Sequence, residues 1–307
     1  MRAAIAVPIA PSRPIPKPVL VAAFCLIWSA AFAVSKIAIT DCPPLMLVSV
    51  RCLIAGAILL GIAALTGARR PAWRDIAALS VLGVANYALY LGLNYVGVRH
   101  GVSAGLSALI ISANPVLTAL LAALMLGEAM TWRKAVGLGL GVIGVAIIVE
   151  RRIIGGESPL GITFVVGALL AMVAGTILFK RLSPNGGLWT GNGIQNLAGG
   201  LALVPFAATF ESVGDVVPTW RLLAALAFLV VLSSIVAYML WFHLLTVSGA
   251  STASAYHFLM PPLGLMFGWL LLSERIESLD LLGVVPVALG VWLVTRAPPS
   301  SRTGARP

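Results

Sequence analysis

The few residues of this chain that can do chemistry come in spaced pairs. Lys36 is matched by Lys180, 144 residues on, and Glu128 by Glu274, 146 residues on. All four stand at the ends of apolar runs. Arg51 lies inside one, about 12 Å deep at about 1.5 Å of rise per residue. A guanidinium at that depth is costly unless it faces protein or water. Two readings of Arg51 stay open. It is the counter-charge for a bound carboxylate or part of a gate, or it is a structural tie to carbonyls or to an acid at a helix end. His243 and His257 are the groups in apolar runs that titrate nearest neutral pH. They suit proton coupling or plain helix-to-helix hydrogen bonding. No Asp or Glu lies deep in any run, so facilitated exchange is as well supported as proton antiport.

Polar and aromatic residues recur at helical spacing on several runs. Asn86, Tyr90 and Asn94 share a face, with Tyr87 at its flank. Ser103, Ser107 and Asn114 share another. Asn192, Gln195, Asn196 and Gly199 follow i, i+3, i+4, i+7 spacing. Ser234, Tyr238 and Trp241 form a fourth face, and Ser254, His257 and Pro261 a fifth, with Tyr256 beside it. Such stripes point into a bundle or a wet cavity rather than at lipid. The candidate cavity residues are Trp28, Arg51, Tyr87, Tyr90, Asn114, Gln195, Tyr238, Trp241, Tyr256 and His257. Asn94 and Tyr95 fall near a helix end and read as an interfacial belt.

The elements that position these residues follow from composition. Of 307 residues, 60% are hydrophobic and 10% charged, with a mean hydropathy of +1.04. Soluble domains carry about 25% charged residues, so this is an integral membrane protein with room for ten helices and no separate soluble domain. The expected spans are residues 18–38, 44–66, 73–95, 102–126, 132–150, 159–181, 188–209, 220–245, 251–272 and 279–296, all α-helical. The net charge of +10 lies in short loops and is orientation information, not a nucleic-acid footprint. With the N-terminus in the cytoplasm, the inner side receives 13 basic and 2 acidic residues and the outer side 6 basic and 8 acidic, Arg51 remaining within a span. This bias places both termini inside a bacterial-type inner membrane.

The stretch 101–152 returns at 249–296. At an offset of 146, Pro115 falls on Pro261, Glu128 on Glu274, Gly137 on Gly283 and Gly144 on Gly290. At 144, Trp28 falls on Met172 and Arg51 on Gln195. Five spans per half make the halves inverted repeats, the common plan of carriers that alternate access around a site between them. The units are a cytoplasmic tail (1–17), two five-helix repeats (18–152 and 153–297) and a second tail (298–307). Inverted symmetry predicts that Lys36 meets Glu274 at the outer end and Lys180 meets Glu128 at the inner end. These are two latches between the halves, or ordinary caps of helix ends. Pro115 and Pro261 kink their helices, as hinges or as static bends. The cavity is expected between spans 1, 3, 4, 6, 8 and 9.

Other signals take plainer readings. Gly139, Gly141 and Gly144 fit a dinucleotide-loop pattern but lie within an apolar helix. Gly137 and Gly141 read better as small residues that admit a close neighbour. Cys25, Cys42 and Cys52 lack metal spacing, and no cofactor is implied. The sequence 31–33 resembles a signal-peptidase site, but the first repeat needs that helix. A membrane-embedded enzyme, the competing class, needs a metal-type His set, an activated nucleophile or paired acids. No His-Glu-x-x-His or Gly-x-Ser-x-Gly motif is present.

Trp28, Lys36, Pro43–Pro44 and Arg51, with Pro115…Gly127–Glu128 and Pro261…Ser273–Glu274, resemble the EamA-type transporters of the drug/metabolite transporter superfamily. The resemblance covers essentially everything after Pro18. It implies efflux or exchange of small metabolites, including aromatic or large neutral amino acids, by a protein expected to work as a monomer in the bilayer. Other metabolites or drugs are the alternative cargo. Met172 and Gln195 depart from the first-half pattern, so the two halves cannot contribute equally to a site.

Overall fold

The structure is a computed structural model that describes residues 16–126, 131–154, 156–182, 184–241, 243–244, 256–275 and 278–295. Among them it is helical throughout, with short turns. The helices are α1 (Lys17–Asp41), α2 (Pro44–Leu65), α3 (Trp73–Arg99), α4 (Ala104–Ile111), α5 (Asn114–Leu126), α6 (Trp132–Ile154), α7 (Pro159–Leu182), α8 (Leu188–Phe210), α9 (Trp220–Trp241), α10 (Met260–Leu272) and α11 (Ser278–Thr295). Seven stretches are long and apolar enough to cross a membrane: α1, α2, α3, α7, α8, α9 and residues Ala104–Leu121, which join α4 to α5. The other three expected spans correspond to α6, α10 and α11. Two of these hold the shorter apolar stretches Ala135–Gly144 and Pro262–Leu272.

Helix starts follow local chemistry. Prolines open α1 and α2, where a missing N–H costs nothing. Ser103 and Thr219 cap α4 and α9 by accepting from Leu106 and Leu222. Pro115 and Pro261 stand in the first turns of restarted helices, not in helix interiors. The chain turns at Ser112–Ala113 before α5, and a 3₁₀ turn, Tyr256–Leu259, precedes α10. The pyrrolidine ring excludes the carbonyl four residues back and disfavours helix at the preceding residue. Each proline therefore breaks its span where a mid-span kink was expected.

Contacts recur in pairs under exchange of the halves. Thr219 donates to Asp41, and the Asn185 N–H donates to Asp75 at 3.0 Å. Adding 144 turns 41 into 185 and 75 into 219. On the α2–α8 interface, a methyl on Gly56 would lie 2.7 Å from the Leu197 side chain, and one on Gly200 3.0 Å from that of Leu53. Here too 53 + 144 is 197 and 56 + 144 is 200. π-Helical turns occupy Val84–Leu89 in α3 and Phe228–Ala237 in α9, and 84 + 144 is 228. Independent loops would not produce such reciprocity, but a two-fold relation between halves does. The expected small-residue packing is also present, since a side chain on Gly290 of α11 would strike Gly137 and Gly141 of α6.

Candidate functional site

Arg51 organises the centre of the described bundle. It is 3% exposed. Its Nε donates to Ser234 at 3.0 Å, Nη1 to Tyr95 at 2.6 Å and Nη2 to Ser233 at 2.9 Å. Of its five N–H groups, these use three. All three acceptors are neutral hydroxyls. The ion pair Lys36–Glu274 is the only salt bridge among the described residues, so Arg51 has no carboxylate partner there.

This guanidinium faces a small chamber walled by α1, α2, α3 and α9. Trp28, Ser35, Tyr90, Asn94, Tyr95, Ser233 and Tyr238 line it, with Ala31, Phe32 and Leu91. Its volume is about 30 Å³, room for about two waters and not for an amino acid. Aromatic rings run along one side. Trp28 meets Tyr238 at 5.2 Å and Phe24 at 5.5 Å, and Phe24 stacks on Trp241 at 5.4 Å.

Beyond Tyr238, Tyr87 stands between this chamber and a second space. Its ring lies 5.6 Å from that of Tyr238, and its hydroxyl donates to Asn192 of α8 at 2.6 Å. Asn192 in turn donates to the Ser234 carbonyl at 3.2 Å. Asn192, Gln195 and His243 line a cleft of about 450 Å³ between α3, α7, α8 and the end of α9. The cleft adjoins a surface recess lined by Arg69, Arg70 and Asp75. Arg51 and Gln195 are 144 apart, as are Ser35 and Phe179, so chamber and cleft share two equivalent positions of the two halves. One is nearly closed and the other is wide.

The narrow end is tied shut beyond the chamber. Lys36 Nζ lies 2.8 Å from Glu274, whose two carboxylate oxygens also accept from the N–H groups of Ala104 (2.8 Å) and Gly105 (3.1 Å). One carboxylate thus joins α1, α4 and the end of α10, and its charge sits at a helix N-terminus, where it is favoured. Ser273 adopts a left-handed φ of 55° to turn Glu274 back. Glu211 does the same for α2, accepting from Leu45 and Met46. Arg99 adds a bond to the Ile39 carbonyl.

Several expected site residues lie elsewhere. Asn114 accepts from Thr118 within the first turn of α5 and does not line the chamber. Gln195 lines the wide cleft and bonds Gly191 of its own helix. Trp241 packs on Phe24, and the Tyr256 carbonyl accepts from Cys25, so both sit behind α1. Of the expected walls, spans 1, 3 and 8 (α1, α3 and α9) line the chamber and α2 joins them, while none of its described lining residues comes from spans 4, 6 or 9. Asn94 and Tyr95 are buried, not a belt: Asn94 donates to Ser107 at 2.6 Å and Tyr95 accepts from Arg51. Ser233 escaped sequence reasoning. The signal that could have found it is the need of a deep arginine for acceptors, met by adjacent serines in an otherwise apolar run. Lys180 lies in the last turn of α7. Glu128 and the side chains of His257 and Pro261 lie outside the described residues.

Comparison with known proteins identifies the family. An uncharacterized transporter of Archaeoglobus fulgidus is 28% identical over 272 residues, covering 88% of this chain and 95% of that protein. A probable amino-acid metabolite efflux pump of Escherichia coli is 25% identical over 280 residues, covering 87% and 91%. The uncharacterized inner membrane transporter YedA of Escherichia coli is 24% identical over 270 residues, covering 88% and 87%. A solved crystal structure superposes with a TM-score of 0.63 at 16% identity, covering 91% of this chain and 96% of that one, which speaks for the fold alone. The EamA-like transporter family matches twice, over residues 17–150 and 159–296. With two copies of the family unit spanning all but the termini and a short linker, this multi-pass membrane protein belongs to the EamA-like transporter family.

Proposed function

We propose that this transporter exports small metabolites from the cytoplasm, amino acids with aromatic or large neutral side chains first among them. The observation that carries the reading is the chamber. A buried cation without an anionic partner among the described residues stands opposite Trp28, Tyr90 and Tyr238, a polar anchor beside an apolar wall. Binding sites are commonly built so, with a few placed polar groups in an aromatic pocket. The name of one relative, a probable amino-acid metabolite efflux pump, points the same way.

Alternating access supplies the movement. In this reading the Lys36–Glu274 end is the outer gate, shut, and the wide cleft beside Arg69 and Arg70 is the inner mouth, with both termini cytoplasmic. Tyr87 and Asn192 form the layer that separates mouth from chamber. A substrate entering the cleft replaces that contact, reaches Arg51 as the chamber widens around it, and leaves when Glu274 lets go of α1 and α4. Lys180 and Glu128 then close the inner end as the equivalent latch. The broken helices at Pro115 and Pro261 are the pivots. The unit of function is one chain.

The test is efflux from proteoliposomes loaded with labelled amino acids, with and without a pH gradient, beside protein-free vesicles. Release of phenylalanine, tyrosine or leucine without a gradient is expected. Release of none of the panel would remove amino acids as cargo.

A further inference from the structure

Taking the chamber as the transport site, we infer that it recognises a carboxylate and offers an ammonium no anionic partner among its described lining residues. Its ligand class is then the monocarboxylates with an apolar or aromatic tail, of which α-amino acids are one subset. Arg51 keeps two unused N–H groups among the described contacts, one on each Nη nitrogen. That suffices for a two-pronged contact with a carboxylate. Neutral hydroxyls hold the guanidinium in position without neutralising it. An entering anion therefore supplies the charge compensation that the described residues do not.

The ammonium of a zwitterion fares differently. None of the residues lining the chamber is Asp or Glu. The polar ones other than Arg51 carry only hydroxyl or amide groups. Glu274, near the closed end, is already engaged by Lys36 and by two N–H groups of α4. An ammonium one carbon from a carboxylate seated on Arg51 meets a like charge and, among the described lining residues, only neutral groups and aromatic faces. The approach agrees, since Arg69 and Arg70 line the recess outside the wide cleft, where positive potential concentrates anions.

Three probes with one ring separate the charges: L-phenylalanine, 3-phenylpropionate and 2-phenylethylamine. The readout is thermal stabilisation of the purified full-length protein, which reports binding independently of transport. The expected result is that 3-phenylpropionate stabilises at concentrations no higher than phenylalanine does, and 2-phenylethylamine does not stabilise. Arg51→Lys, which keeps the charge and loses the fork, should weaken the propionate at least tenfold. Phenylalanine binding tenfold or more tighter than the propionate would reveal an ammonium site and overturn the inference, leaving amino-acid export intact. Binding of the propionate without phenylalanine would uphold the inference and remove amino acids as cargo. Stabilisation by the amine alone, or by none of the three, would overturn both.

Discussion

Arg51 and Gln195 occupy equivalent places in the two halves, on helices α2 and α8 that pack against each other. Arg51 is buried beneath a 30 Å³ chamber and bonds three side chains from α3 and α9. Among the described residues Gln195 bonds Gly191 of its own helix, and it faces a 450 Å³ cleft. A strictly symmetric pair of halves would make the two spaces alike. Their difference teaches two things. The two ends of a two-fold scaffold can differ, one space narrow and the other wide. Only one half carries the charge, so the two halves cannot serve a site equally.

The largest expected effect comes from erasing that difference. Arg51→Gln gives both halves the same residue and leaves three hydroxyls without their donor. Transport should fall about 100-fold or more, about 3 kcal/mol in the barrier, measured as initial efflux rate. Efflux within a few-fold of wild type would mean that Arg51 is a structural tie only. The shut end is probed next. Cysteines at 36 and 274, cross-linked, should cut efflux about tenfold or more, with recovery on reduction; unchanged efflux while cross-linked would remove the latch.

The scaffold comes third. Gly56→Ala would place a methyl 2.9 Å from the Leu197 backbone nitrogen, whereas Gly200→Ala would meet Leu53 and Cys52 at 3.0–3.1 Å. Overpacking of this kind costs about 1–3 kcal/mol, so Gly56→Ala should lower thermal stability by more than Gly200→Ala. The reverse order would contradict the α2–α8 spacing. Tyr87→Phe is milder. It removes one hydrogen bond to Asn192, about 1 kcal/mol, and should change the efflux rate by about five-fold while leaving the fold intact. The smallest signal is a null one. Cys42 is buried at the α1–α2 turn, and burial, then Glu211, push its thiol up to about 11. The reactive thiolate is scarce until pH approaches that value, so maleimide should leave Cys42 unlabelled at pH 7–8, giving cross-linking a quiet background. Rapid labelling would show that this turn opens.

Much of the scaffold was legible from pattern alone. Charge starvation and apolar runs made a membrane bundle, because hydrocarbon admits only satisfied helices. The repeat offset paired Lys36 with Glu274 from spacing alone, since inverted halves bring equivalent ends together. The site was read less well, and α3 shows why. A 3.6-residue period puts Asn86, Tyr90 and Asn94 on one face. The π-helical turn Val84–Leu89 adds a residue within that stretch and rotates the rest of the helix by about 100°. Asn86 then packs against Gly175, while Tyr90, Asn94 and Tyr95 share the chamber.

By itself, then, the sequence determined the solvent, the helices, the duplication and the residues too polar to face lipid. Those are matters of transfer free energy and local spacing. Only the tertiary structure decided which of these residues meet, because that depends on the phase of each helix and on which neighbour it packs against. It put Ser233 and Tyr95 on Arg51, sent Tyr256 behind α1, and left one guanidinium facing a space with no anion among the described residues.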